Sequence, residues 1–158
     1  MPLGGIPVER YFGRGRLEQM HARLQAVAAT VGLTMRRRDV IINSRRALGA
    51  AEFARENGRF AEMHHALFKA HWEGTARLEV VDDLCHVGGS VGLDPDDLRR
   101  SIESGVYERV IDENRRLAES AGIDAIPAHI FGRRYLVVGA QPYEMFTQLL
   151  DRLAEQPN

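Results

Sequence analysis

Cys85 is the only cysteine among 158 residues. A single thiol excludes an internal disulfide and equally excludes a Cys-x-x-Cys redox pair within this chain. Long apolar runs are lacking too. None approaches the ~20 residues needed to span a bilayer, and the Met-Pro-Leu-Gly-Gly start has no charged region followed by an apolar one. The chain is therefore expected to be cytoplasmic, with no membrane partner. There is no excess of either charge. Twenty-one basic residues against 22 acidic ones leave a net charge of -1, so nothing draws the chain in bulk toward nucleic acid, and no nucleic-acid partner is expected. Lysine is nearly absent, since Lys69 is the sole example and Arg supplies the rest, a bias from which no function follows. What is present is ordinary: 44% hydrophobic and 27% charged residues describe a globular chain whose length fits one domain with a real core.

Apolar residues recur at helical spacing through most of the chain. Pro7 to Phe12 is a short helical candidate with proline at its start. Leu17, Met20, Leu24, Val27, Ala28 and Val31 predict a longer helix burying one stripe, stopped at Gly32. Leu33 to Ile42 reads as extended, ending in the β-branched run Val40-Ile41-Ile42. Asn43 or Ser44 then caps a helix whose Ala47, Leu48, Ala51 and Ala54 form a small-residue face ending at Asn57-Gly58. Phe60, Met63, Leu67, Phe68 and Trp72 line the next helix to Gly74, which is expected at the centre of the helical core. Another helix covers Leu78 to Val87, loosened at its end by Gly88 and Gly89. Asp94 with Pro95 opens a short one reaching Ser104-Gly105, and Tyr107 to Ala121 follows with Val110, Leu117 and Ala121 inward.

The pattern changes after Gly122. Ala128 to Phe131 and Tyr135 to Val138 read as strands, with Gly132-Arg133 as a two-residue hairpin turn. Pro142 then starts a helix with Met145, Phe146, Leu149, Leu150 and Leu153 on one face, predicted to pack on the hairpin. Ile126-Pro127 opens the first strand, where proline leaves no inner ladder bond unmade; local sequence alone favours a trans bond there.

Several motifs carry residue types suited to chemistry. Gly88-Gly89-Ser90-Val91-Gly92 matches the Gly-x-Ser-x-Gly of a hydrolase nucleophile, but that chemistry needs a strand before the turn and here a helix precedes it. His64 and His71 on one helix stand about 10 Å apart along its axis, and the neighbouring side chains of Cys85 and His86 diverge by about 100°, so no metal site is expected. Cys85 lies between Leu84 and Val87 in a helix, the setting of a buried, inert thiol. Arg36-Arg37-Arg38 and Arg45-Arg46 lack interleaved aromatics and read as solvated charge rather than a phosphate site.

Order and spacing carry a resemblance. A helix ending in Gly122-Ile123-Asp124-Ala125-Ile126-Pro127, then strand, hairpin, strand ending in Gly139-Ala140-Gln141-Pro142, then an amphipathic helix, resembles the C-terminal half of a DsbA-like thioredoxin domain of the FrnE-like branch. The likeness continues through Gly5 to Glu9, Asn43 to Leu48, Glu52-Phe53-Ala54, Phe60, His64, Leu67-Phe68 and Gly92-Leu93-Asp94. It implies an α/β, thioredoxin-like fold of the DsbA family with a large helical insertion: a single domain over 1-158, with a helical part at 7-121 and a C-terminal ββα part at 123-154. It also implies that the N-terminal βαβ part bearing Cys-x-x-Cys is missing from this chain.

In that family the proline is cis and faces the redox site. The resemblance thus implies that Pro127 presents the backbone of Ile126 to a bound peptide or glutathione, with Asn43 a weaker ligand candidate. His129 stands where an aromatic residue is more usual. The family function is thiol–disulfide exchange or isomerisation, with no cofactor and with glutathione as the ligand the scaffold allows. As this chain, without the cysteine pair, the protein is expected to be inactive in exchange. The alternatives are a non-catalytic interaction module and a glutathione-binding protein of the transferase or isomerase type. A lone hairpin has an open apolar edge, which the Val40–Ile42 run, a second copy of the chain or an N-terminal piece would cover. An oligomer or a marginally stable chain is expected accordingly.

Overall fold

Small side chains at the start of a helix decide how closely its neighbours approach, and this chain's helical part is arranged around such a helix. The computed structural model describes residues 5–155, so residues 1–4 and 156–158 of the expected 1-158 domain lie outside the described residues. The chain divides between Ile111 and Asp112 into two compact units.

In the first unit, β1 (Ile6–Pro7) pairs antiparallel with β2 (Val40–Ile41), Ile6 opposite Ile41 and Pro7 opposite Val40. Between them run α1 (Glu9–Phe12) and α2 (Arg14–Thr30). Pro7 thus lies in a strand rather than opening a helix. The Val40–Ile41 run is paired with β1, in a sheet separate from the C-terminal hairpin. The expected buried stripe of α2 is only partly realised. Leu17 and Ala28 are buried, whereas Leu24, Val27 and Val31 are exposed, because few neighbours pack on that side of the helix.

Four further helices form the core: α3 (Arg45–Glu56), α4 (Phe60–Glu73), α5 (Val81–Ser90) and α6 (Pro95–Ser104). The hub is α3, which touches α4, α5 and α6, rather than α4 as the aromatic face implied. Its Ala47, Ala50, Ala51 and Ala54 are buried and let three helices come close, while Leu48 points to solvent. Met63, Leu84 and Leu98 are the largest fully buried side chains. Gly88 and Gly89 do not loosen α5 but lie within it. A Cβ built on Gly88 would stand 2.4 Å from Leu98 Cδ2, so glycine is what allows α5 and α6 to touch.

Helix ends follow the residues expected of them. Gly74 and Gly105 close α4 and α6 in the left-handed conformation. The Asp94 carboxylate accepts from the backbone N–H groups of Asp96 and Asp97, both at 2.9 Å, with Pro95 at the first helical position. Asp94→Ala is expected to cost about 1 kcal/mol in chemical denaturation, the usual worth of such a cap. The seventh helix, α7 (Glu108–Ser120), buries Ile111 where Leu117 was expected; Leu117 is exposed.

The second unit contains β3 (Ala128–Phe131), β4 (Tyr135–Val138) and α8 (Tyr143–Glu155). The strands pair antiparallel, Ala128 opposite Val138 through Phe131 opposite Tyr135. That register leaves three residues, 132–134, in the loop instead of two, and Gly132 and Arg133 both take positive φ, 55° and 58°. The Arg134 N–H closes the turn on the Phe131 carbonyl at 3.0 Å. As predicted, α8 packs on the hairpin: the Phe146 ring lies 5.4 Å from His129 and 5.8 Å from Phe131, and Leu153 lies against Gly132. Among the described residues of this unit, no α8 side chain is fully buried.

Candidate functional site

Residues 124–127, which precede β3, are exposed, and 125–127 form a bend that leads into the strand. Ile126 is 87% exposed, and the Ile126–Pro127 peptide bond is cis. The Pro127 carbonyl accepts from the Gly139 N–H at 2.7 Å, which prolongs the β3–β4 ladder by one bond and holds Pro127 on the hairpin. Among the described residues β3 pairs only with β4, so its other edge presents backbone N–H and C=O groups without a strand partner there.

Alternation divides the hairpin into two faces. His129, Phe131, Tyr135 and Val137 share one, and His129 and Phe131 meet Phe146 there. His129 therefore faces α8 and fills an aromatic cluster. Ala128, Ile130, Leu136 and Val138 share the other face, on which Ile130 and Leu136 remain substantially exposed.

Asn43 belongs to the first unit. Its Oδ1 accepts from the Arg45 N–H at 3.1 Å, closing a local turn at the start of α3, whereas Ser44 at the N-cap makes no side-chain cap bond. Nearby, a cavity of about 20 Å³ is lined by Arg45, Ser101, Tyr107 and Glu108 among others. It has room for one water molecule and far too little for a tripeptide such as glutathione. The Tyr107 hydroxyl donates to Glu56, and burial together with that carboxylate pushes its pKa up to about 12.

The arginine runs do more than meet solvent. Arg38 donates to the His71 carbonyl, the Arg36 N–H donates to the Trp72 carbonyl at 2.9 Å, and Arg46 donates to the Glu79 carbonyl at 2.9 Å. Arg45 pairs with Glu108, and Arg37 with Asp39 at 3.1 Å. Arg36 and Arg38 thus satisfy carbonyls at the C-terminal end of α4, which that helix cannot bond itself. No local sequence signal marks the bonds of Arg38 to His71 and of Arg46 to Glu79, since each spans 33 residues.

Ser90 is the last residue of α5 and its hydroxyl donates to the Val87 carbonyl at 2.7 Å, so it ends a helix and lacks the strand-to-helix turn of a hydrolase nucleophile. Among the described residues no cluster of three or more His, Cys, Asp or Glu side chains is arranged to hold a metal, and no helix is long and apolar enough to cross a membrane. His64 stacks between Phe60 and Phe68, at 5.5 and 4.8 Å. Cys85 is 4% exposed, and its thiol pKa is raised chiefly by burial, with Asp82, Glu103 and Asp96 adding to the shift against Arg99. In native protein it is expected to react with an aromatic disulfide reagent at least tenfold more slowly than in urea-unfolded protein. Equal rates would show the thiol to be accessible.

A mostly helical chain with small antiparallel sheets and an Ile-Pro segment leading into a ββα end defines a class. The chain belongs to the DSBA-like thioredoxin domain family, which matches residues 1–151. It is similar to a probable DsbA oxidoreductase from Streptomyces coelicolor whose crystal structure is known, at 26% identity and a TM-score of 0.85, over 96% of this chain and 69% of that one. No curated protein sequence matches it. The fold is that of a DsbA-like thioredoxin domain, and the family is of the thiol–disulfide oxidoreductase type.

Proposed function

We propose that this chain is the substrate-receiving part of a DsbA-type thiol–disulfide oxidoreductase of the FrnE-like branch, and that by itself it carries no exchange activity. The observation that supports the reading best is the placement of Ile126, 87% exposed beside the unpaired edge of β3. An extended peptide bearing a thiol or a disulfide adds there as a further strand. Main-chain hydrogen bonds supply its affinity, and the apolar Ile126 and Ile130 offer side-chain contact.

Exchange itself requires a thiolate to attack a disulfide sulfur. Cys85, the only thiol, is buried within the first unit's core and disfavours the thiolate form. The residues described here hold and orient a peptide; the attacking thiol has to come from elsewhere.

Two measurements test this. Insulin mixed with the chain and dithiothreitol is expected to precipitate no faster than with dithiothreitol alone; acceleration would overturn the inactive reading. Titration of an extended cystine-containing peptide into isotope-labelled protein is expected to shift the amides of residues 126–131. Shifts confined to other segments would remove the proposed site.

A further inference from the structure

The segment 36–39 lies across the C-terminal end of α4, and its attachments surround one histidine. Arg38 donates to the His71 carbonyl and the Arg36 N–H to the Trp72 carbonyl. The Arg36 side chain packs on Gly74, the residue that caps the helix. At its far end the segment continues into β2, and the Asp39 carbonyl accepts from the Val8 N–H at 2.9 Å. Residues 36–39 therefore act as a strap joining the end of α4 to the β1–β2 pair.

Three buried polar atoms at this place have no partner: Arg38 Nε, His71 Nδ1 and Glu79 Oε2. A donor, a ring nitrogen and a carboxylate oxygen left unmatched together form a cluster whose energy is sensitive to one proton. We propose that this strap is released by acid, with His71 as the proton sensor and Arg38 as the group that opposes its charging.

The groups facing the ring come from several elements. Arg38 reaches it from the strap. Glu79 reaches it from the connection between α4 and α5, itself held by the Arg46 guanidinium of α3 on the Glu79 carbonyl. Trp72, its neighbour on α4, meets the imidazole edge-on at 5.0 Å. Burial and then Arg38 lower the His71 pKa, and Glu79 works against them without prevailing. With the strap closed the His71 ring is harder to protonate than a free imidazole, because burial and Arg38 oppose its charge. With the strap open it regains its ordinary pKa near 6.5.

The sign follows by linkage. The open form binds more protons below about pH 6.5, so closure is fully favoured above that pH and weakens as pH falls through it. A proton taken from solvent places an imidazolium against Arg38, and the repulsion is relieved when the strap lifts.

The test is amide hydrogen exchange on the full chain at pH 7.5 and pH 5.5, expressed as protection relative to intrinsic rates. Protection of the Arg36 and Val8 amides is expected to fall several-fold at the lower pH, while that of Ala50 and Ala51 in α3 holds. In His71→Asn, which cannot titrate, the two strap amides should be equally protected at both values. Unchanged protection in the native chain, or a loss that persists in His71→Asn, overturns the proposal. Titration of the His71 ring by NMR in the unsubstituted chain gives an independent reading. A midpoint below 6.5 is expected, and one at or above it overturns the proposal.

Discussion

Replacing Leu98 by alanine is expected to destabilise the first unit by about 3–5 kcal/mol, the largest effect of any single truncation in this chain. Leu98 is 0% exposed and belongs to the cluster that includes Leu84, Val87 and Leu93. Its Cδ2 faces the backbone of Gly88, so one wall of the vacated space is helix main chain, which cannot rotate inward as a side chain can. A site that cannot collapse keeps its cavity, and the cost of a leucine truncation rises with the cavity retained. The midpoint of urea unfolding followed by helical circular dichroism reads the effect. A loss below about 1 kcal/mol would mean that α5 and α6 close together freely.

The same contact makes a coupled prediction. Gly88→Ala alone is expected to cost about 1–3 kcal/mol, because its methyl group enters space that Leu98 already fills. Combined with Leu98→Ala, the added methyl meets a void. The double variant is expected to be more stable than the sum of the two single losses would make it. Simple additivity would show that the two positions do not share one packing space.

Phe146→Ala is expected to carry the second largest effect, about 2–3 kcal/mol, confined to the second unit. That unit has no fully buried side chain on α8, so its cohesion rests on a few contacts. The Phe146 ring meets both His129 and Phe131 and ties the helix to the hairpin, and Leu153 lies against Gly132. A hairpin without a helix to pack on is marginal in water. Amide exchange should show residues 128–138 losing protection in this variant while α3 keeps its own. Retained protection in the hairpin would show that something other than α8 stabilises it.

What the sequence made legible was mostly local. The strands 128–131 and 135–138 stand where their short apolar runs placed them, and Asp94-Pro95 opens α6 through the side-chain bonds that Asp94 provides. Periodicity shows that a helix has an apolar side but not whether another element covers it. That is why Leu24, Val27, Val31 and Leu117 were expected inside and lie at the surface. The hairpin loop holds three residues where Gly132-Arg133 alone implies two, because Arg133, a non-glycine, takes the left-handed conformation beside Gly132, which dipeptide preferences do not anticipate.

The candidate site was legible in a different way. Ile126 and Pro127 stood out by their place in a family pattern, and the free edge beside them follows from the topology. Asn43, which the same family pattern singles out, accepts from the Arg45 N–H in a turn at the start of α3. Arg38, His71 and Glu79 could not have been picked out, since they come from three separate segments and share no spacing rule. Only folding brings an arginine from an extended run to the end of a helix 33 residues away.

The edge-on meeting of His71 with Trp72 makes the chain its own indicator. Trp72 is the only tryptophan, so all indole emission originates 5.0 Å from the imidazole. An imidazolium at that distance quenches an excited indole more strongly than a neutral ring does. The charge state of one histidine can therefore be followed optically in dilute solution, without a label and without isotopes.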